Sequence, residues 1–396
     1  MTKKTVAVIF GGRSAEHDVS IITAHIPIID SLTASGNFDV WPIYITKEGD
    51  WYADKVMNDL SFFKQSNYTD VLKGKKKVHL LFDNGLELIL PGFPRWASPT
   101  GFSRERKVRI DVVFPAMHGT YGEDGSLMGL LRMAQVPFVG CDMAASAVAM
   151  DKAFTKQVLL AEGVPVVPFV WFTKSGYEKA QQSFLDKIAK LKYPLFVKPV
   201  HLGSSVGMTK VKDKKGLENA IEVAFHYDDK VLVEEGVENL TEVTLPIIGN
   251  ETVEFAHVER PLNKSEFFDF NDKYLSGGKQ GSGMHTQYSE IPATISEVQA
   301  TQVRELGEKT YRTLGCTGIA RVDFLIDNAT QKVFVNEVNT LPGSLYVHNW
   351  KKKGVSGVEL ITKLVSLAEE RFAAEQGLTH TFSSEILKRV SGSKVQ

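Results

Sequence analysis

The 396-residue chain has few cysteines, no long apolar run and almost no net charge. Its two cysteines, Cys141 and Cys316, are too few for a disulfide framework or a zinc cluster, so we expect packed thiols. No run of about eighteen apolar residues occurs, and a transmembrane helix is therefore not expected. The 46 basic residues nearly balance the 47 acidic ones, which argues against nucleic acid or a membrane as a partner and favours a small molecule.

Size and composition indicate a multidomain globular protein. The chain is too long for one compact core, and two or three domains are expected. Hydrophobic residues make up 43% of the chain and charged residues 23%, which is ordinary for a soluble protein. The apolar run at residues 6–10 is far too short for a signal-peptide core, so a cytoplasmic location is predicted.

The N-terminal pattern alternates strands and helices. Buried strands are predicted at residues 5–10, 40–45 and 110–114, with a helix at residues 19–32, and this rhythm is typical of a parallel α/β sheet. Residues 51–107 are less regular and are interpreted as a peripheral elaboration. The changes of pattern divide the chain into 1–138, an N-terminal α/β domain; 139–230, a central domain; 231–375, a C-terminal domain; and 376–396, a polar, partly disordered tail.

Two strand-like stretches near the C-terminus carry the clearest chemical signal. Along a strand, Arg321 shares a face with Asp323, and Glu337 shares a face with Asn339. A hairpin turning at residues 327–330 places Asp323 opposite Glu337 and Arg321 opposite Asn339. Facing carboxylates repel unless a cation lies between them, and these oxygen ligands suit magnesium with a nucleotide. A solvated hairpin face is the alternative.

Further residues have the chemistry of a nucleotide site. Residues 201–207 form a loop of small residues after Lys198, which suits phosphate binding, although a plain hairpin explains it equally well. Lys152 begins a predicted helix and is either a phosphate ligand or an exposed lysine. Glu234 and Glu235 end a predicted strand in extended chain that could meet an adenine edge.

Two more segments have open interpretations. Residues 10–20 lack the G-x-G-x-x-G spacing, which argues against a nicotinamide enzyme. Within them, Glu16 either complements a helix dipole or pairs with a substrate ammonium group. Residues 267–283 combine aromatic residues with glycines, as in a mobile lid, with a surface insertion as the alternative.

From residue 6 to about residue 367, the chain resembles the D-alanine–D-alanine ligases of the ATP-grasp fold. The matching stretches are 11–20, 118–125, 150–152, 198–207, 269–274, 321–323 and 336–343. The resemblance implies a three-domain ATP-grasp α/β fold, in which an N-terminal parallel α/β domain precedes two α+β domains that grip ATP.

The resemblance also implies ligands for ATP and metal ions. Glu234 and the Val237 backbone would meet adenine, Glu242 the ribose and Lys273 the transferred phosphoryl group. The full implied ATP set is Lys152, Lys198, Ser204, Ser205, Glu234, Glu235, Val237, Glu242 and Lys273. Two Mg²⁺ or Mn²⁺ ions would be held by Asp323, Glu337 and Asn339, with Glu337 bridging.

Substrate roles follow from the same resemblance. Glu16 would bind the ammonium group of the first D-alanine and share hydrogen bonds with Ser204 and Tyr274. Arg321 and the Gly343 amide would stabilise the oxyanion. The residues implied around the first D-alanine are Val19, Ser20 and His118, and those implied at the carboxylate of the second are Ser344 and Leu345.

The implied reaction is ATP-dependent ligation of two D-alanines through an acylphosphate, for peptidoglycan precursor synthesis. Ser344 follows Gly343 directly, whereas the family usually has several residues between them, which motivates D-lactate or D-serine as alternative acceptors. Tyr274 favours D-alanine. A non-catalytic ATP-binding homologue is the remaining alternative. A homodimer is expected, with D-alanine and ATP as small-molecule partners.

Overall fold

The computed structural model of the protein describes residues 3–83, 85–92, 105–203, 205–262, 289–384 and 386. Ser204, Lys273 and Tyr274 lie outside these described residues. So do the predicted lid at residues 267–283 and most of the predicted tail beyond residue 384.

The N-terminal part of the chain is built around a parallel sheet. Its strands are β1 (Lys4–Gly11), β2 (Phe38–Ile45), β3 (Trp51–Ala53), β4 (His79–Phe82), β5 (Leu86–Leu90), β6 (Arg106–Ile110) and β7 (Val112–Pro115). The central strand β1 runs parallel to both β2 and β7, and β3 adds an antiparallel edge beside β2. The predicted α/β rhythm is therefore confirmed for the described residues.

Residues 51–107 are more regular than the sequence suggested. Strands β4, β5 and β6 form an antiparallel sheet, and Leu86 and Leu88 are fully buried against the core side of β1 and β2. Alternating leucines on β5 supply this buried face, which the surrounding lysines and glycines obscured in the sequence.

The helices of this part begin directly after β1. They are α1 (His17–Thr23), α2 (Asp30–Ser35), α3 (Ser61–Lys64), α4 (Tyr68–Lys73) and α5 (Ser126–Met133). A π-helical stretch, Ala24–Ile29, joins α1 to α2 where a single helix over residues 19–32 was predicted. It contains Pro27, which has no N–H to donate, so the α-helical ladder is interrupted there.

The central part holds an antiparallel sheet with helices packed on it. Its strands are β8 (Phe169–Thr173), β9 (Leu195–Pro199), β10 (Thr209–Val211) and β11 (Lys230–Glu235), in the order β10-β9-β11-β8. Its helices are α6 (Met143–Met150), α7 (Lys152–Ala161), α8 (Lys174–Ile188) and α9 (Leu217–Tyr227). The predicted domain boundary between residues 230 and 231 falls at the first residue of β11, and the division into domains stays a prediction.

The C-terminal part contains a second antiparallel sheet, in the order β13-β12-β16-β17. The strands are β12 (Leu240–Gly249), β13 (Val253–Phe255), β14 (Arg260–Pro261), β15 (Ser289–Glu290), β16 (Gly318–Asp327) and β17 (Lys332–Asn339). The helices are α10 (Glu297–Thr313), α11 (Val347–Lys352) and α12 (Gly357–Gln376), with a 3-10 turn at Gly343–Tyr346. Capping boxes begin α10 and α12, at Ser296 and Ser356 respectively.

Helix α12, in the C-terminal part of the chain, packs against the N-terminal sheet. Its buried residues Leu360, Ile361 and Leu364 pack in one core with Val6 and Phe10 of β1. The C-terminal part is thereby fixed against the N-terminal sheet, close to the loop that follows β1. Among the described residues, no helix is both long and apolar enough to cross a membrane.

Candidate active site

The predicted acidic hairpin forms with the predicted register. Arg321 on β16 lies opposite Asn339 on β17, and Asp323 lies opposite Glu337. A register shift follows directly, between Asp323 and Phe324. Such an irregularity increases local twist and is common beside active sites.

Arg321 holds the acidic side chains of this hairpin together. Its Nε donates to Asp323 Oδ1 at 2.6 Å, and its second guanidinium nitrogen also contacts Asp323 and lies 4.0 Å from Glu337 Oε1. Asn339 Nδ2 donates to Asp323 Oδ2 at 3.2 Å. Burial opposes the charge of Arg321, but Asp323 raises its pKa well above the usual value. Asp323, Glu337 and Asn339 offer side-chain oxygens, two of them on carboxylates, and such ligands suit a hard divalent cation.

Glu242 on β12 belongs to the same electrostatic environment. Desolvation raises its pKa, and the nearby charge of Asp323 raises it further, whereas Lys198 acts in the opposite direction. Glu337 also contributes to the raised pKa. Since Lys198 belongs to the central sheet, the two antiparallel sheets face each other across this group of charges.

A buried cluster of one carboxylate and two lysines lies in the central part of the chain, beside these charges. Lys198 Nζ on β9 is 2.5 Å from Glu234 Oε1, and Lys156 Nζ on α7 is 3.0 Å from Glu234 Oε2. Glu234 and Lys156 are each 2% exposed or less, so these charges are removed from water. Lys156 was not among the predicted site residues. Its position four residues after Lys152 places both on one helix face, and this spacing was the signal available in the sequence.

The charges in this cluster stabilise one another. Burial opposes ionisation of Glu234, but Lys156 and Lys198 lower its pKa to about 2. Burial lowers the pKa of Lys156, whereas Glu234 raises that of Lys198 despite burial, with a further contribution from Glu337. Two ammonium groups against one carboxylate leave this cluster suited to a polyanion.

Lys152 and the loop of small residues are joined directly. Lys152 Nζ donates to the carbonyl oxygen of Leu202 at 2.7 Å, at the start of the loop. Gly207 has a φ of +72°, and a Cβ there would meet Pro199 at 2.8 Å, so the loop needs glycine at this position. Ser205 also has a positive φ, of +58°.

Glu16 lies where the N-terminal and central parts of the chain meet. A Cβ placed on Gly203 would be 3.7 Å from Glu16 Oε2, and one placed on Gly119 would be 3.1 Å from the same oxygen. The loop after β1, the loop at residues 118–125 and the small-residue loop therefore converge at this carboxylate.

The remaining residues predicted around the first substrate are buried near the loops that follow β1 and β7. Val19 is buried, and Ser20 Oγ accepts from the Gly11 amide and donates to the Ala116 carbonyl oxygen, each at 2.7 Å. His118 is buried with Nε2 2.9 Å from Thr23 Oγ1. The Ser20 hydroxyl proton is therefore used within the protein.

Glu235 and Val237 follow the buried cluster at the end of β11. The Glu235 carboxylate accepts from the Lys192 amide at 2.9 Å, and Val237 is half-buried. The predicted adenine contacts thus lie at the end of β11, the strand that pairs with the Lys198 strand β9, although the Glu234 carboxylate is already engaged by lysines.

The predicted second-substrate segment has an unusual backbone. Ser344, Leu345 and Tyr346 have φ values of +52°, +48° and +52°, which are uncommon for residues with side chains. The Leu345 side chain is fully buried in the N-terminal core, and its amide donates to Pro342 O at 2.9 Å. Tyr346 was not predicted, yet the Arg321 guanidinium lies 5.3 Å from its ring centroid.

Comparison with known families and proteins identifies the chain's relatives. The family model for the D-ala D-ala ligase N-terminus matches residues 5–141, and the model for the C-terminus matches residues 158–366. The D-alanine–D-alanine ligase of Acetivibrio thermocellus is 38% identical over 378 residues, covering 93% of this chain and 97% of that protein. The ligase of Thermosipho africanus is 36% identical over 382 residues, covering 96% and 97%.

Solved structures agree with these sequence matches. The D-alanine-D-alanine ligase from Coxiella burnetii has a TM-score of 0.76 at 28% identity, covering 98% of this chain and all of that one. The VanG D-Ala:D-Ser ligase from Enterococcus faecalis has a TM-score of 0.73 at 31% identity, covering 93% of this chain and all of that one. The predicted ATP-grasp α/β fold is thereby confirmed, and the chain belongs to the D-alanine–D-alanine ligase family.

Proposed function

We propose that the protein joins two D-alanine molecules to D-alanyl-D-alanine while ATP is converted to ADP and phosphate. Family membership over nearly the whole chain supports this reaction. The observation that carries the proposal is the convergence at Glu16. The Glu16 carboxylate, the proposed partner of an ammonium group, lies beside Gly203 in the loop whose Leu202 carbonyl oxygen accepts from Lys152 Nζ.

The chemistry requires activation of the first carboxylate. A carboxylate and an ammonium group do not condense in neutral water, so a carboxylate oxygen of the first D-alanine attacks the γ-phosphorus and ADP leaves. The ammonium group of the second D-alanine loses a proton, and the free amine attacks the carbonyl carbon of the acylphosphate. The carbon–oxygen bond to the phosphoryl group then breaks, and the oxygen leaves with the phosphate. Glu16 would hold the first ammonium group, and Lys152 and Lys198 would bind the ATP phosphates.

Arg321 is the proposed oxyanion donor. Its buried guanidinium is oriented by Asp323 and Tyr346, and a fixed donor of this kind stabilises a tetrahedral oxyanion more than the planar ground state. The Gly343 amide is the proposed second donor. Ser344 and Leu345 are proposed for the second carboxylate, and Ser204, Lys273 and Tyr274 keep their predicted roles as proposals.

The hairpin donors fit magnesium or manganese. Asp323, Glu337 and Asn339 would hold the divalent ions, and bound ions would supply charge neutralisation at the phosphates. Arg321 and Asn339 already orient the Asp323 carboxylate by direct hydrogen bonds, so this ligand is fixed in the protein alone.

Product analysis tests the proposed reaction. Purified protein, ATP, magnesium and D-alanine should yield dipeptide, ADP and phosphate in equal amounts. Glu337→Gln should remove this turnover, whereas Glu251→Gln, on an exposed loop, should retain it. Phosphate release no higher than in a D-alanine-free blank would overturn the proposal, and ATP binding without turnover would identify a non-catalytic homologue.

Two observations favour an acceptor other than D-alanine. Ser344 directly follows Gly343, and the structurally similar Enterococcus faecalis protein is a D-Ala:D-Ser ligase. Product masses from D-alanine mixed with D-serine or D-lactate decide among the acceptors.

Two expectations about the protein in the cell stay predictions. We propose a cytoplasmic location because ATP and the proposed peptidoglycan precursor are handled there, and cell fractionation tests it. The expected homodimer is tested by analytical ultracentrifugation.

A further inference from the structure

A charged cluster outside the predicted site surrounds His201, the residue at the start of the small-residue loop. His201 Nδ1 lies 3.0 Å from Asp228 Oδ1, and its Nε2 lies 3.4 Å from Asp151 Oδ2. The His201 amide also donates to Asp228 Oδ2 at 2.7 Å. One residue therefore contacts two carboxylates, which come from the start of α7 and from the segment before β11.

Other charges face the same cluster. Lys230 Nζ is 2.5 Å from Asp151 Oδ2 and lies over the ring of Trp171 at 4.5 Å. Asp229 is exposed, and its carboxylate lies within 4.8 Å of the ligand atoms of His201 and Asp228. These carboxylates outnumber the lysine that contacts them, so the cluster favours a positive charge on His201.

The two contacts of His201 favour its protonated form. A neutral imidazole has one N–H, whereas an imidazolium donates from both ring nitrogens. Hydrogen bonds to Asp151 and Asp228 raise the pKa of His201 to about 9, despite burial. Hydrogen bonds from His201 and Lys230 lower the pKa of Asp151 in spite of its desolvation. At neutral pH, His201 is therefore a cation that links two anions.

These links meet the phosphate-binding residues of the proposed function. Asp151 is the N-cap of α7 and accepts from the Phe154 amide at 2.8 Å, so it fixes the helix turn that begins with Lys152. Lys152 Nζ in turn binds the carbonyl oxygen of Leu202, the residue after His201. A closed chain of contacts therefore runs from His201 through Asp151 and Lys152 back to the loop.

We propose that His201, as a cation held between Asp151 and Asp228, is a positioning residue that fixes the small-residue loop and Lys152 for binding of the ATP phosphates. The inference rests on the proposed binding of ATP by Lys152 and Lys198. Loss of the proton releases one of the two contacts, because the remaining lone pair then faces a carboxylate. ATP affinity is thus coupled to the protonation of a residue outside the proposed ATP contacts.

Calorimetric titration of the full chain with magnesium and a non-hydrolysable ATP analogue tests the inference without D-alanine. At neutral pH, His201→Gln should weaken binding about tenfold, the size expected for losing a charged hydrogen bond. His201→Arg keeps a permanent charge with two donor directions and should bind within about threefold of the natural protein. His226→Gln, on the exposed side of α9, is the matched control and should bind like the natural protein.

The pH dependence gives a second measurement. His201 contacts both Asp151 and Asp228 at pH values below its pKa of about 9, and it loses one of these contacts above that pH. Analogue binding by the natural protein should therefore weaken as the pH rises through about 9. The affinity of the natural protein divided by that of His201→Arg should fall over the same pH interval. Other titrating groups are the same in both proteins, so their effects cancel in this ratio. If His201→Gln fails to fold, the His201→Arg profile alone decides.

Two results would overturn the inference. One is a Kd for His201→Gln within about twofold of that of the natural protein, and the other is the same pH profile in His201→Arg as in the natural protein. Failure of the proposed ligase reaction is separate, since it would appear as absence of dipeptide with the natural protein while analogue binding still responded to His201.

Discussion

Replacing Glu234 with glutamine should strongly destabilise the protein, because this carboxylate compensates two buried lysines. Its oxygens lie 2.5 Å from Lys198 Nζ and 3.0 Å from Lys156 Nζ. Glutamine keeps the size of the side chain but removes its charge, so both ammonium groups lose their nearest compensating charge in a poorly solvated place. Breaking a buried pair in this way typically costs about 3–5 kcal/mol.

The pKa of Glu234 gives a similar magnitude. A decrease of the Glu234 pKa from its usual value of 4.5 to about 2 in the folded protein corresponds to about 3 kcal/mol. The pKa of Glu234 is lower in the folded protein than in the unfolded chain. This stabilisation is therefore complete above pH 4.5 and is lost as the pH falls towards 2. The difference between the natural protein and Glu234→Gln should therefore shrink in acid.

Urea unfolding of the full chain measures this effect. At neutral pH, Glu234→Gln should lose about 3 kcal/mol of unfolding free energy, while Glu238→Gln, an exposed neighbour, should lose less than about 0.5. Adding Lys156→Met to Glu234→Gln should restore part of the loss, giving a coupling energy of about 1–3 kcal/mol. A loss below about 1 kcal/mol at neutral pH, or a loss that does not change in acid, would refute the reasoning.

Other substitutions test other parts of the structure. Arg321→Lys should lower kcat for dipeptide formation about 10²–10³-fold, and a loss below about tenfold would count against its role as oxyanion donor. Gly11→Ala should cost more than about 2 kcal/mol in thermal unfolding, because φ is +87° and the new Cβ would lie 2.2 Å from Ile45 O, whereas Gly36→Ala, with a φ of +71° and open space, should cost about 1. Arg371→Met should cost about 3 kcal/mol in urea unfolding, since its guanidinium donates to two carbonyl oxygens and a threonine hydroxyl, and an unchanged midpoint would contradict this.

The hairpin was predictable because its signal is local. Alternation places Asp323 and Glu337 on defined strand faces, whereas their pairing also depends on the register shift after Asp323, which the turn composition does not predict. Its register in the structure matches the prediction for Arg321 and Asn339 as well. The magnesium-binding role of these residues stays a prediction, since register alone does not establish a ligand.

Features that depend on distant packing were not predictable in the same way. Lys156 is a helix residue whose burial and partner are set by β11, about 80 residues later in the chain. Leu345 was predicted as a substrate contact from its motif, but its side chain is used in the N-terminal core. Cys141 and Cys316 are both buried, as expected.

Oxygen transfer tests the central claim most directly. D-alanine labelled with oxygen-18 in its carboxylate is incubated with the protein, ATP and magnesium, and the released phosphate is analysed by mass spectrometry. The account predicts that each phosphate carries one labelled oxygen, because a carboxylate oxygen attacks phosphorus and later leaves with it. Dipeptide formation with unlabelled phosphate would contradict the acylphosphate route.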